Sequence, residues 1–337
     1  MSRLNEFIDL DRPEIARLAS HYGLTDLEEV TPVRKGLINT NYRIRAHGGD
    51  YLLRLLPAER TRDAVVFELS TLRRLAEYGF PCPRPLLPTT GEWGFSIEHE
   101  RHFVVFEYIE GQTLAREQID RRIVGQVGEL FGRMQKVLEG FVPEGGKPSA
   151  DLEYVDGLKS EVCRRLSLLP SEGNSIAIEL ERIWNRSYAA MRSRELAQGF
   201  VHADLYFDNV IVEGSEIRGI IDFDDSYHGS LVVDLAVVLM EFGFVTDGEL
   251  DLELSRLLLE AYYRMRPGSV MESDLIVDAM TCACYKYLGY TSNLDSYAGI
   301  KLLENEYIAR IRYLAGASVR QRLQETIKSV TASMEAS

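Results

Sequence analysis

In RPEIARLASHYGL, Ile15, Leu18 and Tyr22 recur at helical spacing, so a helix is expected early in the chain. Two runs of strand-forming residues, NYRIRA and YLLRLLP, flank His47-Gly48-Gly49-Asp50 and predict a β-hairpin with a four-residue turn. AVVFELSTLRRLAEYGF returns to the helical period, with Val65, Leu69, Leu72 and Ala76 on one stripe and Gly79 at its end. GFPCPRPLLP carries too much proline for a regular element, and HFVVFEYIEG predicts a buried strand stopping at Gly111. Beyond Leu114 the pattern is mainly helical, except for short strands between residues 200 and 223. The expectation is an α+β chain of two lobes meeting at a cleft. Residues 1–110 form the smaller, β-rich lobe and residues 111–337 the larger, mainly α-helical one.

A length of 337 residues fits two domains or one two-lobed unit, at the usual ~150 residues per domain. The 52 acidic residues outnumber the 38 basic ones, giving a net charge of −14. That balance argues against nucleic acid or an anionic membrane as the main partner, since both attract basic surfaces. No run of ~18 apolar residues is present, so no membrane span is expected. MSRLNEFIDLDRPE lacks an apolar h-region, so a secretory leader is not expected and a cytoplasmic location is. The four cysteines read as reduced thiols packed in or near helices, because Cys282-x-Cys284 has no further metal ligands nearby.

Chemistry concentrates between Val201 and Leu235. That stretch holds eight carboxylates (Asp204, Asp208, Glu213, Glu216, Asp222, Asp224, Asp225 and Asp234) against one base, Arg218. They alternate with Val210-Ile211-Val212 and Gly219-Ile220-Ile221, apolar enough to be buried strands joined by a hairpin at Glu213-Gly214-Ser215. Carboxylates at the ends of buried strands need solvent or a compensating cation, and Mg²⁺ on Asp222 and Asn209 answers that need. The spacing His202-x-Asp204-Leu205-x-x-x-Asn209 matches the kinase catalytic-loop pattern, with Ala203 in place of its Arg. Asp222-Phe223 follows 13 residues after Asn209, where a D-F-G element would stand, with Asp224 replacing the glycine. Asp204 suits the base that orients the attacking hydroxyl and takes its proton, and Asn209 and Asp222 suit Mg²⁺ on a triphosphate.

The front half is expected to grip the nucleotide. RKGLINTNYRI has one glycine, Gly36, and small polar residues at Asn39, Thr40 and Asn41, without a G-x-G-x-x-G. Strand alternation places Arg54 between Leu52 and Leu56, while Glu68 lies on the helical stripe of Leu72 and Leu75. A strand cation and a helix acid both facing inward predict one ion pair, with Arg54 in the place a kinase gives to lysine.

The ordered set Gly36-x-x-Asn39, Arg54, Glu68, Phe106-Glu107-Tyr108-Ile109-x-Gly111, His202-x-Asp204, Asn209, Asp222 and Asp234-Leu235-Ala236 resembles the aminoglycoside phosphotransferase/choline kinase family. The resemblance runs from about residue 13 to about residue 240, and HADLYFDN is most similar to bacterial homoserine kinases of the protein-kinase-like type. It implies the bilobal protein-kinase-like fold and the use of ATP with Mg²⁺. By the same resemblance Asp204 is the catalytic base, Asn209 and Asp222 are the metal ligands, and Arg54 holds the α- and β-phosphates, positioned by Glu68. The Gly36–Asn41 loop, with Asn39 and Thr40, covers the nucleotide, and Glu107, Tyr108 and Ile109 form the hinge whose backbone meets adenine. Asp234 braces the catalytic loop.

His202 reads as a structural residue of that loop. Asp208 reads either as a turn cap or as an acceptor contact, and Asp224 and Asp225 either as acceptor contacts or as solvated turn residues. His228-Gly229 reads as a turn. In Cys284-Tyr285-Lys286-Tyr287-Leu288-Gly289-Tyr290, Tyr285 is the candidate to face the acceptor, against core packing at helical spacing. The expected activity is phosphorylation of a hydroxyl on a small, amine-bearing metabolite, with L-homoserine foremost. Choline, ethanolamine, hydroxylysine and aminoglycoside acceptors, a protein Ser/Thr kinase and a non-catalytic pseudokinase are the alternatives.

Overall fold

The computed structural model describes residues 7–34, 38–91, 97–98, 101–146, 152–170, 172–244, 248–266, 270–294 and 298–335. The chain divides into two compact units. One comprises Met1–Gln112, Phe141–Lys147 and Arg218–Asp224; the other comprises Thr113–Gly140, Pro148–Ile217 and Asp225–Ser337.

The first unit begins with α1 (Arg12–Ser20), started by a reciprocal capping box between Asp11 and Glu14. It buries Ile15 and Leu18 against an antiparallel sheet of order β1-β2-β3-β5-β4. The strands are β1 (Glu29–Val33), β2 (Thr40–Ala46), β3 (Gly49–Leu55), β4 (Ile97–Glu98) and β5 (Arg101–Glu107). The β2–β3 turn is tighter than predicted. His47 and Gly48 both take positive φ, 52° and 72°, which makes a two-residue primed turn and returns Gly49 and Asp50 to the strand opposite Ala46 and Arg45. β5 ends at Glu107 rather than at Gly111. β1 carries no alternating apolar signal because it is a mostly exposed edge strand containing Pro32. Helix α2 (Arg62–Glu77), capped by Thr61, buries Val65, Glu68, Leu69, Leu72 and Leu75.

Helices dominate the second unit: α3 (Arg121–Val137), α4 (Leu152–Ser167), α5 (Gly173–Arg192), α6 (Leu231–Gly243), α7 (Leu252–Met265), α8 (Val270–Thr291), α9 (Glu306–Ala315) and α10 (Ala317–Glu335). α3 packs closely on α7 through two of its glycines. An added Cβ at Gly128 would lie 2.4 Å from the Leu258 carbonyl oxygen, and at Gly132 2.6 Å from that of Tyr262. α6 is apolar on nearly every face, as a central buried helix must be. The short strands are β6 (Gln112–Thr113), β7 (Gln198–Val201), β8 (Val210–Glu213), β9 (Glu216–Ile220) and β10 (Tyr227–Ser230). β8 and β9 join at Gly214-Ser215 as expected, with Gly214 at φ 62°. β10 pairs antiparallel with β7, so His228 stands opposite Phe200 in a strand instead of in a turn.

All four cysteines are buried and free. Burial pushes the Cys163 thiol up to about 11 and that of Cys82 up to about 12, which leaves both unreactive. Among the described residues no helix is long and apolar enough to cross a membrane.

Candidate active site

In the second unit, β7 delivers the chain into the loop His202–Asn209. Ala203 has φ 69°, a left-handed conformation that a residue with a side chain keeps only when its surroundings hold it. Asp234, in the first turn of α6, accepts the His202 amide on Oδ2 at 3.0 Å and the Ala203 amide on Oδ1 at 2.9 Å. From the other side Lys286 Nζ on α8 donates to the Ala203 carbonyl at 2.7 Å, and the Tyr287 hydroxyl oxygen lies 3.3 Å from the same carbonyl oxygen. Both ends of the strained residue are therefore held. His202 is fully buried and its Nδ1 accepts the Asp204 amide at 3.3 Å, a structural position.

The Asp204 carboxylate is fixed through both oxygens. Tyr287 donates its hydroxyl to Oδ1 at 2.8 Å, and Asn209 Nδ2 donates to Oδ2 at 3.1 Å and to the Asp204 carbonyl at 2.7 Å. Tyr287 is itself held by stacking on Tyr307, ring centroids 5.6 Å apart. Behind Asp234 a second tier continues inward. Gln135 Nε2 donates to Asp234 Oδ2 at 3.3 Å, Tyr262 donates to Gln135 Oε1 at 2.6 Å, and Arg266 donates to the Tyr262 hydroxyl at 2.9 Å.

Burial raises the Asp234 carboxyl from 3.8 to about 6, and the amides of Ala203 and His202, then Gln135 and Lys286, only partly offset it. The folded chain thus binds more protons at this group than the unfolded chain across that window. The contribution of Asp234 to stability should fall as pH rises through it, by about 3 kcal/mol, and level off above it. Urea melts of the wild type and of the non-titrating Asp234→Asn variant across the window should show their difference changing by that amount. A difference independent of pH contradicts it.

Asp225, Tyr290 and Tyr154 gather on the same unit. Burial, then the negative field of Asp225 and the hydrogen bond with Tyr154, pushes the Tyr290 phenol upward, with Asp204 adding to it. Asp208 is half-buried in the short turn Phe207–Asn209. Tyr285 is placed otherwise than expected. It is 1% exposed, meets Trp184 edge-on at 5.1 Å and donates its hydroxyl to the Leu180 carbonyl, so it packs α8 on α5. Two positions along the helix, Tyr287 is the tyrosine that reaches Asp204.

In the first unit Arg54 sits on β3 opposite Asn41 of β2 and Val104 of β5. It is 7% exposed, with Nη1 3.4 Å from Glu68 Oε1 and 4.0 Å from Asp222 Oδ1, and Nε 3.3 Å from Asn41 Oδ1. Burial works against its charge, but Glu68, Asp222 and Asp224 together outweigh it and hold the guanidinium above its ordinary value. Glu68, 3% exposed, also faces Arg60 at 3.6 Å. Asp222 adopts φ 66°, and its side chain is 37% exposed.

Asp224 is buried, with Oδ2 accepting from Asn39 Nδ2 at 2.9 Å and its carbonyl accepting from Arg60. It is neither a solvated turn residue nor open to an acceptor; it pins the Asn39 segment. Thr40 is buried too, its hydroxyl accepting the Ile8 amide at 3.1 Å, so it ties down the N-terminal segment rather than facing a nucleotide. Gly36 lies outside the described residues. At the end of β5 the Glu107 amide donates to Arg84 and the Tyr108 amide to Asp50, both at 2.9 Å, and Ile109 packs beside Gly219.

The Gln135–Tyr262 tier was not read from the sequence, and within the stretch from Cys284 to Tyr290 the sequence did not single out Lys286 and Tyr287 as site residues. The signal available was a lysine set among tyrosines in the last turns of α8, and nothing in that spacing says which loop it meets.

Residues 29–267 match the model of the phosphotransferase enzyme family. A homoserine kinase of Rhodopseudomonas palustris is 26% identical over 266 residues, 79% of each chain. Among solved structures, the amicoumacin kinase hAmiN bound to AMP-PNP and Ca²⁺ superposes with a TM-score of 0.67 at 17% identity, over 94% of both chains. A microcompartment-associated aminopropanol kinase does so with 0.68 at 16%, over 95% of this chain and 99% of that one. The fold is protein-kinase-like, a small antiparallel sheet region with a larger helical part. With the family model covering more than two thirds of the sequence, the chain belongs to the phosphotransferase enzyme family and is a small-molecule phosphotransferase.

Proposed function

We propose that the chain is an ATP- and Mg²⁺-dependent kinase that moves the γ-phosphoryl group to a hydroxyl of a small, amine-bearing metabolite, with L-homoserine the first acceptor to test. The observation that carries this reading is the Asp204 carboxylate, half-buried and oriented at both oxygens by Tyr287 and Asn209. A carboxylate so fixed orients one acceptor hydroxyl and takes its proton as the new O–P bond forms and the bond to the β-phosphate oxygen breaks.

In this reading residues 1–110 are the nucleotide-binding lobe and 111–337 the catalytic and acceptor-binding lobe. Arg54 grips the α- and β-phosphates, with Glu68 holding its orientation, and Asn39 lies in the segment that covers them. The Glu107 and Tyr108 amides already donate within their unit, so the Glu107 carbonyl and the Ile109 amide are the groups offered to adenine. Asn209 directs its nitrogen at Asp204, which leaves its oxygen for a cation, and Asp222 adds a carboxylate. Asn209 and Asp222 would hold Mg²⁺ by two protein oxygens, and the ion would neutralise charge on the triphosphate. Asp225 and Asp208 supply the negative charge that an ammonium group requires. The homoserine kinase relatives and the aminopropanol kinase, whose names pair an amine with a hydroxyl, support this acceptor class. A cytoplasmic setting belongs to the same proposal.

The test is ADP release from Mg·ATP with L-homoserine, L-threonine, choline, ethanolamine, hydroxylysine, kanamycin and a generic protein. L-Homoserine should give the strongest signal. A stronger signal from another acceptor, or silence with Mg·ATP still bound, overturns the choice of homoserine. Failure to bind nucleotide overturns the kinase reading.

A further inference from the structure

A cavity of about 340 Å³ lies within the second unit. Ala203 and Lys286 line it, whereas Asp204, Asn209 and Asp225 do not. Its walls are mostly apolar, with Met191, Leu196, Val201, Val233 and Val237 among them, and that size suits a small organic molecule. Its charged lining is the reverse of the whole chain. In a protein of net charge −14 it presents Arg192, Arg194 and Lys286 against one acid, Glu153. Glu153 is matched with Arg192 at 3.0 Å, and Lys286 lies in the field of the buried Asp234, which leaves Arg194 as the remaining positive charge on the lining, with His228 beside it.

Lys286 is only 6% exposed, and of its three N–H donors one is directed at the Ala203 carbonyl. Ser230 Oγ, on the same lining, is buried without a hydrogen-bond partner among the described residues. A buried hydroxyl of that kind points to a missing partner. An ammonium-bearing acceptor is repelled by this lining, so the cavity is not a second place for the acceptor class proposed above.

We propose that this cavity is a binding site for a small carboxylate with an apolar body, its anion on Lys286 and Ser230 and its alkyl part against Met191, Leu196 and Val237. Such an occupant draws on the ammonium that holds the carbonyl of Ala203, the residue held at φ 69° immediately before Asp204. The site therefore regulates the proposed reaction. Occupancy loosens the catalytic loop and lowers kcat without changing the KM for nucleotide.

The binding test needs no turnover, so its failure is distinct from failure of the kinase reading. Calorimetry on the full chain, without nucleotide or acceptor, compares 4-methylpentanoate with 4-methylpentanamide. The acid should bind once per chain, and the amide about tenfold more weakly, as expected when a charge-assisted hydrogen bond becomes a neutral one. Leu196→Trp, which fills the cavity from a half-buried position, should abolish binding of the acid while the chain stays folded by circular dichroism. Absence of binding by the acid, equal binding of acid and amide, or undiminished binding to Leu196→Trp each overturns the site. Saturating acid that leaves kcat unchanged overturns the regulatory part.

Discussion

Replacing Asp204 with Asn is expected to lower kcat by about 10²–10⁴-fold, the range for loss of a positioned general base. Nucleotide affinity and the thermal midpoint should stay close to those of the wild type. Asn is the informative substitute because of the two groups that hold the carboxylate. Asn209 Nδ2 faces Oδ2 and requires an acceptor there, whereas the Tyr287 hydroxyl at Oδ1 can turn and accept from an amide. The Asn variant thus keeps both hydrogen bonds by placing its oxygen toward Asn209. It loses basicity without losing the loop. Steady-state kinetics with the acceptor found in the panel, alongside ATP titration, separates the effects. Turnover near the wild-type level would show that Asp204 is not the base.

Replacing Arg54 with Met has the second largest expected effect, in two measurements at once. Glu68 would remain buried, with Arg60 3.6 Å away. Breaking a buried pair from one side costs about 3–5 kcal/mol, and Arg60 should hold the loss near the low end. The KM for nucleotide should rise about 10–100-fold, the equivalent of a charged hydrogen bond to phosphate. The double variant Arg54→Met, Glu68→Met distinguishes the two. Removing both charges should restore most of the stability and none of the nucleotide affinity, because stability follows the pair and affinity follows the guanidinium. Urea melts and ATP titrations on the three proteins check this, and a double variant that regains affinity would refute the phosphate role of Arg54.

The parts legible in the sequence were those whose geometry is local. His202, Asp204 and Asn209 fall within eight residues, so their spacing reads as one catalytic-loop pattern, and the structure adds that Asn209 folds back on Asp204. Asp234 was legible as a brace only through the family resemblance, and its carboxylate takes the His202 and Ala203 amides. Arg54 and Glu68 were each legible as a charge on an apolar face, one by strand alternation and one by helical period, and their ion pair is 3.4 Å long.

Other features fell outside what spacing can reveal. The four-residue turn proved to be a two-residue one because His47, without the freedom of glycine, still takes positive φ. The β1 edge strand faces solvent on most positions, and a strand without a buried face leaves no period-two trace. Asp224 read either as an acceptor contact or as a solvated turn residue, and its pairing with Asn39, 185 residues earlier, places it instead among buried contacts.

The sequence by itself determined the protein-kinase-like plan, through motifs whose residues lie close together, and it nominated Asp204 as the reacting carboxylate and Asn209 and Asp222 for a metal. The tertiary structure decided which tyrosine holds Asp204, what keeps Ala203 in its left-handed conformation, and where a cavity of positive charge lies in an acidic protein. Those depend on α8 meeting a loop more than 80 residues away. Contacts between distant segments are set by how whole helices pack, and packing leaves no periodic mark in the order of the residues.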